Sequence, residues 1–364
     1  MTVTVKSFAK INLGLGIGHA REDGFHELLT VYQTIGLYDV IRVSVGRGDG
    51  IRIQCSDPHV PRDESNTCFR IAEKGMAALK AKGCVVIEIE KRLPVRGGLG
   101  GASANAVATL LALERAVRKK LSPTVKLRIA AEVGSDLPLF LVGGTVLGVG
   151  RGEQVFPLPD FPATPCVVVT PEIGVSTPRA FAEWDRLSGA DGPVRDSAAQ
   201  NADRDRNQNP AEFRSAGQPR AAVPTRTLSS AKLTALGVSD RMNELGCGLS
   251  AWLSELYSSA PSSLVERRGR AGNPLLRLDR AGIENDFEQV VFPEYPKLGE
   301  AKGALMRAGA KYASLSGSGS TLYGLFASQK AAVSASAKLR KAGWAAQATS
   351  TLTRAEYWRR LYRI

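Results

Sequence analysis

A glycine-rich turn at residues 91–105, with the sequence KRLPVRGGLGGASAN, constrains the fold of this chain more than any other segment. Residues 85–90 before it alternate as in a strand with one buried face, and residues 107–117 after it carry apolar side chains at helical spacing. A turn of small residues that leads into a helix leaves backbone N–H groups free at the positive end of the helix dipole. The segment therefore predicts either a structural turn or a loop that binds an anion such as phosphate.

The spacing within this turn argues against two common nucleotide-binding motifs. No Gly-Lys-Ser or Gly-Lys-Thr closes it, so it is not a Walker A loop. It also lacks G-x-G-x-x-G spacing followed by an acidic residue about 20 positions later, which disfavours a dinucleotide-binding fold.

The composition is that of an ordinary globular protein. Of the 364 residues, 43% are hydrophobic and 23% are charged, which predicts two domains or two lobes with a sizeable core. Neither a signal peptide nor a membrane-spanning window is expected from the sequence. The five cysteines are scattered, odd in number and never in a C-x-x-C pair. We therefore predict no disulfide framework, no zinc site and a reducing cytoplasmic location.

The net charge of +13 has two interpretations, a surface that binds nucleic acid or membranes and a basic background that favours small anionic substrates. Lysine and arginine are not interleaved with aromatic residues, which make up only 6% of the chain, and this favours the small substrate. The basic segment 354–363 is predicted to be a solvated terminal helix or extension.

Strands and helices are mixed along the chain and predict an α+β fold. Residues 1–20 are predicted as strand, turn and strand, and Lys10 and Asn12 share one face of a strand there. Residues 185–231 are poor in large apolar side chains and predict a mobile insertion. Further predicted elements are helices at 66–80, 123–132, 245–257 and 262–268, a helix beginning at 285–288, strands at 143–150 and 166–170, and a strand–turn–strand unit at 312–326.

Asp136 lies in a Gly-Ser-Asp turn directly before apolar residues and Pro138. This position predicts a carboxylate held at the edge of a core, or alternatively a helix N-cap. Phosphoryl transfer needs a group that orients or deprotonates a hydroxyl, a cation that stabilises developing charge, and backbone donors for the phosphates. Asp136, Lys10 and the glycine-rich turn supply one of each.

Three segments resemble, in order and spacing, the three motifs of the GHMP kinases, the superfamily of galactokinase, homoserine kinase, mevalonate kinase and phosphomevalonate kinase. They are residues 8–13 (FAKINL), 93–105 (LPVRGGLGGASAN) and 315–320 (LSGSGS). Residues 9–13 with 21–28, 134–140 and 285–288 are similar to the branch that phosphorylates the 2-hydroxyl of a cytidine-diphosphate-linked methylerythritol in non-mevalonate isoprenoid synthesis. The resemblance covers residues 1–185 and 283–350.

The resemblance implies a two-lobed GHMP kinase fold, with an N-terminal ribosomal-protein-S5-like lobe and a C-terminal ferredoxin-like α/β lobe. The first lobe is expected at 1–160 and the second at 161–350, interrupted by the insertion at about 186–232, with a basic tail at 351–364. It also implies ATP and Mg²⁺ as cofactors and a small-molecule substrate, with no nucleic-acid or membrane partner. It leaves the oligomeric state and the protein ligands of the metal unassigned.

Residue roles carry over from the same motifs. Asp136 is the implied base or orienting carboxylate, and Lys10 pairs with it and stabilises the forming alkoxide. The implied substrate contacts are Asn12, Phe25 stacking on the cytosine, His26 hydrogen bonding to it, and Thr177. The implied ATP-binding residues are Pro94, Val95, Arg96, Gly97, Gly98, Leu99, Gly100, Gly101, Ala102, Ser103 and Ala104, with Asn66 facing the adenosine.

Plainer roles stay open for three of these residues: Lys10 as a salt-bridge partner, His26 as a structural histidine and Phe25 as a core residue. The chain also departs from the family pattern, since Phe25 stands where tyrosine is usual, Arg96 where a small residue is usual, and Ala104 where serine is common. Two rival functions remain, a related kinase acting on a polyol or amino-alcohol and a non-catalytic RNA-binding protein.

Overall fold

The computed structural model describes residues 1–95, 97–188, 238–258 and 273–363. Apart from residues 186–188, the predicted insertion at 186–232 lies outside these ranges, as do Arg96 and the helix predicted at 262–268.

Within the described ranges the chain forms ten strands, ten α-helices and two short 3-10 helices at Pro274–Arg277 and Asp279–Ala281. The strands are β1 (Thr2–Ala20), β2 (His26–Gly46), β3 (Ile51–Cys55), β4 (Cys84–Glu90), β5 (Thr145–Gly150), β6 (Gln154–Pro157), β7 (Pro165–Val169), β8 (Tyr312–Leu315), β9 (Leu322–Leu325) and β10 (Ala346–Ser350). The helices are α1 (Thr67–Ala78), α2 (Gly101–Ala116), α3 (Pro123–Val133), α4 (Leu137–Val142), α5 (Thr177–Leu187), α6 (Val238–Ser258), α7 (Glu288–Glu294), α8 (Pro296–Arg307), α9 (Gln329–Lys341) and α10 (Arg354–Leu361).

Two sheets form two lobes, which confirms the predicted α+β class. The first sheet has the order β3-β4-β2-β5-β6 with β1 paired to β2, and helices α1 to α4 bury Ile71, Leu110, Ile129 and Phe140 in the same cluster as its strands. The second sheet is antiparallel with the order β10-β7-β9-β8, and α5, α7, α8 and α9 pack with it. The lobe boundaries at residues 160 and 350 stay a prediction.

The strand–turn–strand prediction for residues 1–20 is wrong, because β1 is one continuous strand paired with β2. Its register shifts between Phe8 and Lys10, between Asn12 and Gly14, and between Ile17 and Ala20, which bends the strand without interrupting it. A Cβ at Gly14 would lie 2.5 Å from Ile283 Cγ2. Glycine here allows close packing against the second lobe and does not form a turn.

Strand β1 joins all of the hydrophobic clusters found in the described residues. Its side chains pass from one cluster to the next along the strand: Val3, Val5 and Phe8 belong to the first-lobe cluster, Ala9, Ile11 and Leu13 to a second cluster, and Leu15 and Ile17 to the cluster of the second sheet. Tyrosines of the second sheet bind its backbone, since Tyr312 Oη donates to the carbonyl of Leu13 (3.0 Å) and Tyr323 Oη donates to that of Asn12 (2.8 Å). The two lobes therefore share one strand.

The basic tail was predicted to be a solvated terminal helix or an extension. It forms helix α10, but this helix is not fully solvated. Tyr357 and Leu361 of α10 are buried in the cluster of the first lobe. Tyr357 Oη donates to the carbonyl of Phe140 (2.7 Å), and Trp358 Nε1 donates to that of Val142 (3.1 Å). Tyr357 and Leu361 are four residues apart, so they lie on one face of α10 and form an apolar stripe among the basic side chains. The tail leaves β10 of the second lobe and packs against α4 of the first.

Candidate active site

The glycine-rich turn connects β4 to the N-terminus of α2, as predicted. Gly98 (φ 78°) and Gly100 (φ 68°) adopt left-handed backbone conformations that favour glycine, and Gly100 is the N-cap of α2. A Cβ at Gly98 would lie 2.1 Å from the carbonyl oxygen of Ser316. The turn is thus pressed against the loop between β8 and β9, with its backbone N–H groups beside the positive end of α2.

The three segments that resembled the family motifs meet at this turn. The Lys10 amide donates to the carbonyl of Leu99 (2.9 Å), and the Thr321 amide donates to that of Gly97 (3.2 Å). Ser316 Oγ donates to the carbonyl of Gly98 (3.0 Å). Segments far apart in the sequence therefore converge on one backbone loop, which sequence spacing alone did not establish.

Asp39 anchors the start of the turn, and sequence reasoning missed it. Its carboxylate is fully buried and accepts hydrogen bonds from the amides of Arg92 (2.7 Å) and Leu93 (2.8 Å). It also accepts from Lys91 Nζ (2.5 Å) and from Asn105 Nδ2 (2.9 Å) on α2. The available signal was a single acidic residue in the otherwise apolar strand segment YDVI at 38–41.

Lys10 and Asp136, predicted from the sequence as a pair, lie together, with 3.5 Å between Lys10 Nζ and Asp136 Oδ2. Lys10 is almost completely buried and its Nζ also donates to Asn12 Oδ1 (2.7 Å), which confirms that the two residues share a face. Asn12 is held in turn by Thr30 Oγ1, at 2.8 Å from its Nδ2. Burial lowers the pKa of Lys10 below its ordinary value, although the charge of Asp136 opposes this.

Asp136 stands at the N-cap position of α4, but its side chain makes no capping hydrogen bond. Its Oδ1 instead accepts a hydrogen bond from Tyr32 Oη (3.0 Å). Tyr32 is buried, and burial holds its pKa well above the ordinary value, so the hydroxyl keeps its proton and donates. Tyr32 was also missed from the sequence, because its hydrogen bond to Asp136 joins residues 104 positions apart.

The predicted cytosine contacts Phe25 and His26 lie at the start of β2. His26 is buried, with its Nε2 2.7 Å from Asp185 Oδ1, and its ring stacks on Phe181 at 4.7 Å and 18°. Phe25 is partly exposed and lies under the guanidinium of Arg151, 4.8 Å from the ring centroid. Both assignments to cytosine stay predictions; sequence reasoning did not identify Asp185, Phe181 or Arg151.

Thr177 and Asn66 each have a hydrogen-bond partner in the structure. Thr177 begins α5, and its hydroxyl is 2.7 Å from Ser318 Oγ in the loop between β8 and β9. Asn66 caps α1: its Oδ1 accepts from the Cys68 amide (2.9 Å) and its Nδ2 donates to the carbonyl of Pro61 (2.6 Å). The adenosine contact of Asn66 stays a prediction, and both ends of its amide are already hydrogen bonded.

A cleft of about 310 Å³ opens beside the turn, between the two lobes. The first lobe contributes Lys91, Arg92, Pro94 and Leu99 among others, and the second contributes Val168, Thr170 and Gln347. The side chains of Leu99, Ser103 and Ala104 are buried, so the backbone of the turn is what it offers to a ligand.

Comparison with known proteins identifies the family. The family model for the N-terminal domain of GHMP kinases matches residues 66–144, and the model for the C-terminal domain matches residues 263–344. A 4-diphosphocytidyl-2-C-methyl-D-erythritol kinase from Solibacter usitatus is 35% identical over 329 residues, which span 90% of this chain and 82% of that protein. The chain belongs to the GHMP kinases.

Solved structures agree with this membership. The fold of this kinase matches the crystal structure of a 4-(cytidine 5'-diphospho)-2C-methyl-D-erythritol kinase with a TM-score of 0.64 and 26% identity, covering 96% of this chain and 99% of the other. It also matches a homoserine kinase from Cytophaga hutchinsonii with a TM-score of 0.60, over 97% of this chain and 95% of the other, and at 19% identity this second likeness shows the fold alone.

Two predictions from composition can be compared with the kinase structure. All five cysteines lie within the described ranges and are free thiols, in agreement with the absence of a disulfide framework. Across residues 1–95, 97–188, 238–258 and 273–363, no helix has the length and apolar character needed to cross a membrane.

Proposed function

We propose that this GHMP kinase transfers the γ-phosphoryl group of ATP to the 2-hydroxyl of 4-diphosphocytidyl-2-C-methyl-D-erythritol. The observation that carries the proposal is the buried Lys10–Asp136 pair, 3.5 Å apart, beside the glycine-rich turn of a chain whose relatives bear that enzyme's name. In this proposal the partner of the kinase is this small molecule, and the reaction takes place in a reducing cytoplasm. The kinase needs neither nucleic acid nor a membrane as a partner.

The catalytic steps follow from the positions of the side chains. Asp136 orients the substrate hydroxyl and accepts its proton as the hydroxyl oxygen attacks the γ-phosphorus and ADP departs. Lys10, whose ammonium is directed by Asn12 and Asp136, stabilises the negative charge that develops on the attacking oxygen. The backbone N–H groups of residues 97–103 and the N-terminus of α2 hold the triphosphate.

The residues present are compatible with a Mg²⁺ ion held mainly by phosphate oxygens. No cluster of three or more His, Cys, Asp or Glu side chains suited to a metal occurs in the described ranges. The carboxylate of Asp136, a quarter exposed, is a hard oxygen donor of the kind that Mg²⁺ prefers. When bound, the ion neutralises charge on the transferred phosphoryl group.

We place the nucleoside of ATP in the cleft between the lobes, where Arg92 and Pro94 precede the phosphate-binding backbone. The cytosine of the acceptor then lies at Phe25 and His26, on the other side of the Lys10–Asp136 pair along β1 and β2. Asn12 and Thr177 contact the acceptor between these points.

The test follows ADP release with ATP and Mg²⁺, in the presence and absence of 4-diphosphocytidyl-2-C-methyl-D-erythritol, with homoserine and mevalonate as competing acceptors. We expect release with the first acceptor alone, and its loss in Asp136→Ala and Lys10→Met variants that keep the wild-type circular dichroism spectrum. Faster turnover of homoserine or mevalonate would contradict the substrate assignment.

An RNA-binding protein would behave differently. It would bind RNA with a steep dependence on salt, and Asp136→Ala would leave its function unchanged. We expect weak RNA binding that is lost at physiological salt, as for any basic protein.

A further inference from the structure

Arg151 occupies the tip of a tight turn at the end of β5. Both of its neighbours, Gly150 (φ 70°) and Gly152 (φ 96°), have left-handed backbones. Its backbone amide donates to Glu153 Oε2 (2.7 Å), and its Nε lies 3.8 Å from the same oxygen. The turn therefore has a defined shape, and the Arg151 side chain is about a quarter exposed.

This turn touches both ends of the proposed acceptor site. At one end, the Arg151 guanidinium lies 4.8 Å above the ring of Phe25. At the other, a Cβ at Gly152 would lie 2.4 Å from Tyr32 Oη and 3.9 Å from Asp136 Oδ1. Arg151 is therefore the immediate neighbour in the chain of the glycine that packs beside Tyr32 and the carboxylate of Asp136.

The proposed acceptor carries its charge between these same two ends. Its diphosphate joins the cytidine to carbon 4 of the methylerythritol, two carbons from the hydroxyl that is phosphorylated. If the cytosine lies at Phe25 and that hydroxyl at Asp136, the diphosphate must cross the region beside Arg151. A diphosphate needs a cation there, and the planar guanidinium forms paired hydrogen bonds with phosphate oxygens.

The position of Arg151, 4.8 Å from the centroid of the Phe25 ring and next to Gly152 in the chain, points to it as this cation. Arg21, the other arginine close by, donates hydrogen bonds to Asp23 and to Glu27 (2.6 Å), so its charge is balanced by two carboxylates. Arg151 lies 3.8 Å from the Glu153 carboxylate, and its charge also acts on Asp23.

We infer that Arg151 binds the diphosphate of the acceptor and makes this kinase select acceptors that carry a nucleoside diphosphate. The inference rests on the proposed function. It assigns Arg151 to binding of the acceptor, with no part in binding ATP or in the transfer step.

Steady-state kinetics of Arg151→Ala and Arg151→Lys test this assignment. We expect KM for the acceptor to rise about 10- to 100-fold in Arg151→Ala, and less in Arg151→Lys, which keeps the charge but not the paired geometry. KM for ATP and kcat should stay close to wild type. Arg115→Ala is the matched control, because Arg115 also stacks on an aromatic ring, that of Tyr362 at 3.1 Å, but sits in the last turn of α2.

A binding measurement separates this assignment from a structural effect. By calorimetry, wild type should bind cytidine diphosphate more tightly than cytidine, and Arg151→Ala should lose most of that preference while keeping its affinity for cytidine. An equal preference in both proteins, or an unchanged acceptor KM in Arg151→Ala, would overturn the inference and leave the proposed function standing. A wild type that does not phosphorylate the acceptor would refute the proposed function and this inference with it.

Discussion

Tyr32 contacts both members of the Lys10–Asp136 pair. Its hydroxyl donates to Asp136 Oδ1, and its ring centroid is 5.7 Å from Lys10 Nζ. Hydrogen bonds to charged groups contribute about 1.5–3 kcal/mol, and this one fixes the rotation of the carboxylate that must meet the substrate hydroxyl. Tyr32 is therefore a positioning residue, which acts on the reaction through Asp136.

We expect Tyr32→Phe to lower kcat about 10- to 100-fold with little change in either KM, since the ring still fills its place but the carboxylate loses its donor. The measurement is steady-state kinetics on the folded variant. Tyr357→Phe serves as control, because it also removes a buried hydroxyl, one that donates to the carbonyl of Phe140. A Tyr32→Phe enzyme with wild-type kcat would show that Asp136 is oriented without it.

Lys10 provides a prediction about pH. Burial lowers its pKa from the ordinary 10.5, so the ammonium loses its proton at a lower pH than an exposed lysine does. Since we propose that the charged form stabilises the attacking oxygen, kcat should fall on the alkaline side with a midpoint below 10.5.

The guanidinium of Lys10→Arg stays charged over this range, so the residual activity of that variant should lack the alkaline fall. A pH profile of kcat measured for both proteins decides the point. The same alkaline midpoint in the arginine variant would assign the titration to another group.

At the scale of elements, helix α10 supports the helix that follows Asp136. It contacts α4 through Tyr357 and Trp358. In addition, Arg354 Nη2 donates to the carbonyls of Thr145 (2.9 Å) and Leu158 (3.1 Å). We expect a chain that ends at Thr353 to lose several degrees of Tm and most of its turnover, because α4 loses part of its packing. Thermal unfolding measures Tm, and the ADP assay measures turnover. Wild-type Tm and turnover in the shortened chain would contradict this role of α10 and favour the solvated tail predicted from the sequence.

Local elements were largely predictable from the sequence, and their long-range partners were not. The β4–turn–α2 unit followed from its period and its glycines, and the β8–β9 hairpin followed from its Gly-Ser loop. The course of β1 was mispredicted, because its glycines serve contacts with residues almost 270 positions away. The tail was mispredicted because two buried residues, Tyr357 and Leu361, are hard to recognise among many charges.

The same division holds for the candidate site. Lys10, Asn12 and Asp136 were predicted because their chemical types stand in recognisable motifs. The contacts of Asp39, Tyr32 and Arg151 arise from the pairing and packing of separate strands and turns, and no local pattern marks these residues. Sequence patterns identify candidate catalytic side chains more easily than they identify the side chains that hold those residues in place.

At the scale of the whole molecule, β1 should make unfolding a single event. Its side chains belong to all three clusters, so neither lobe keeps a complete core without it. We expect urea unfolding to be cooperative, with coincident transitions by circular dichroism and tryptophan fluorescence. Ile11→Ala should lower the free energy of unfolding by about 2–5 kcal/mol without separating the two transitions. The exposed Val333→Ala is the control, and two resolved transitions would show that the lobes fold independently.

The shared strand and the docked tail also fix when the enzyme can become complete during synthesis. Strand β1 leaves the ribosome long before its partners Glu284, Tyr312 and Tyr323, which lie about 270 to 310 positions later in the chain. Helix α10, which covers α4, is made after all of these partners. A nascent chain therefore holds Lys10 and Asp136 long before it can assemble them into a finished site, and a prematurely terminated product carries both residues without their supporting structure.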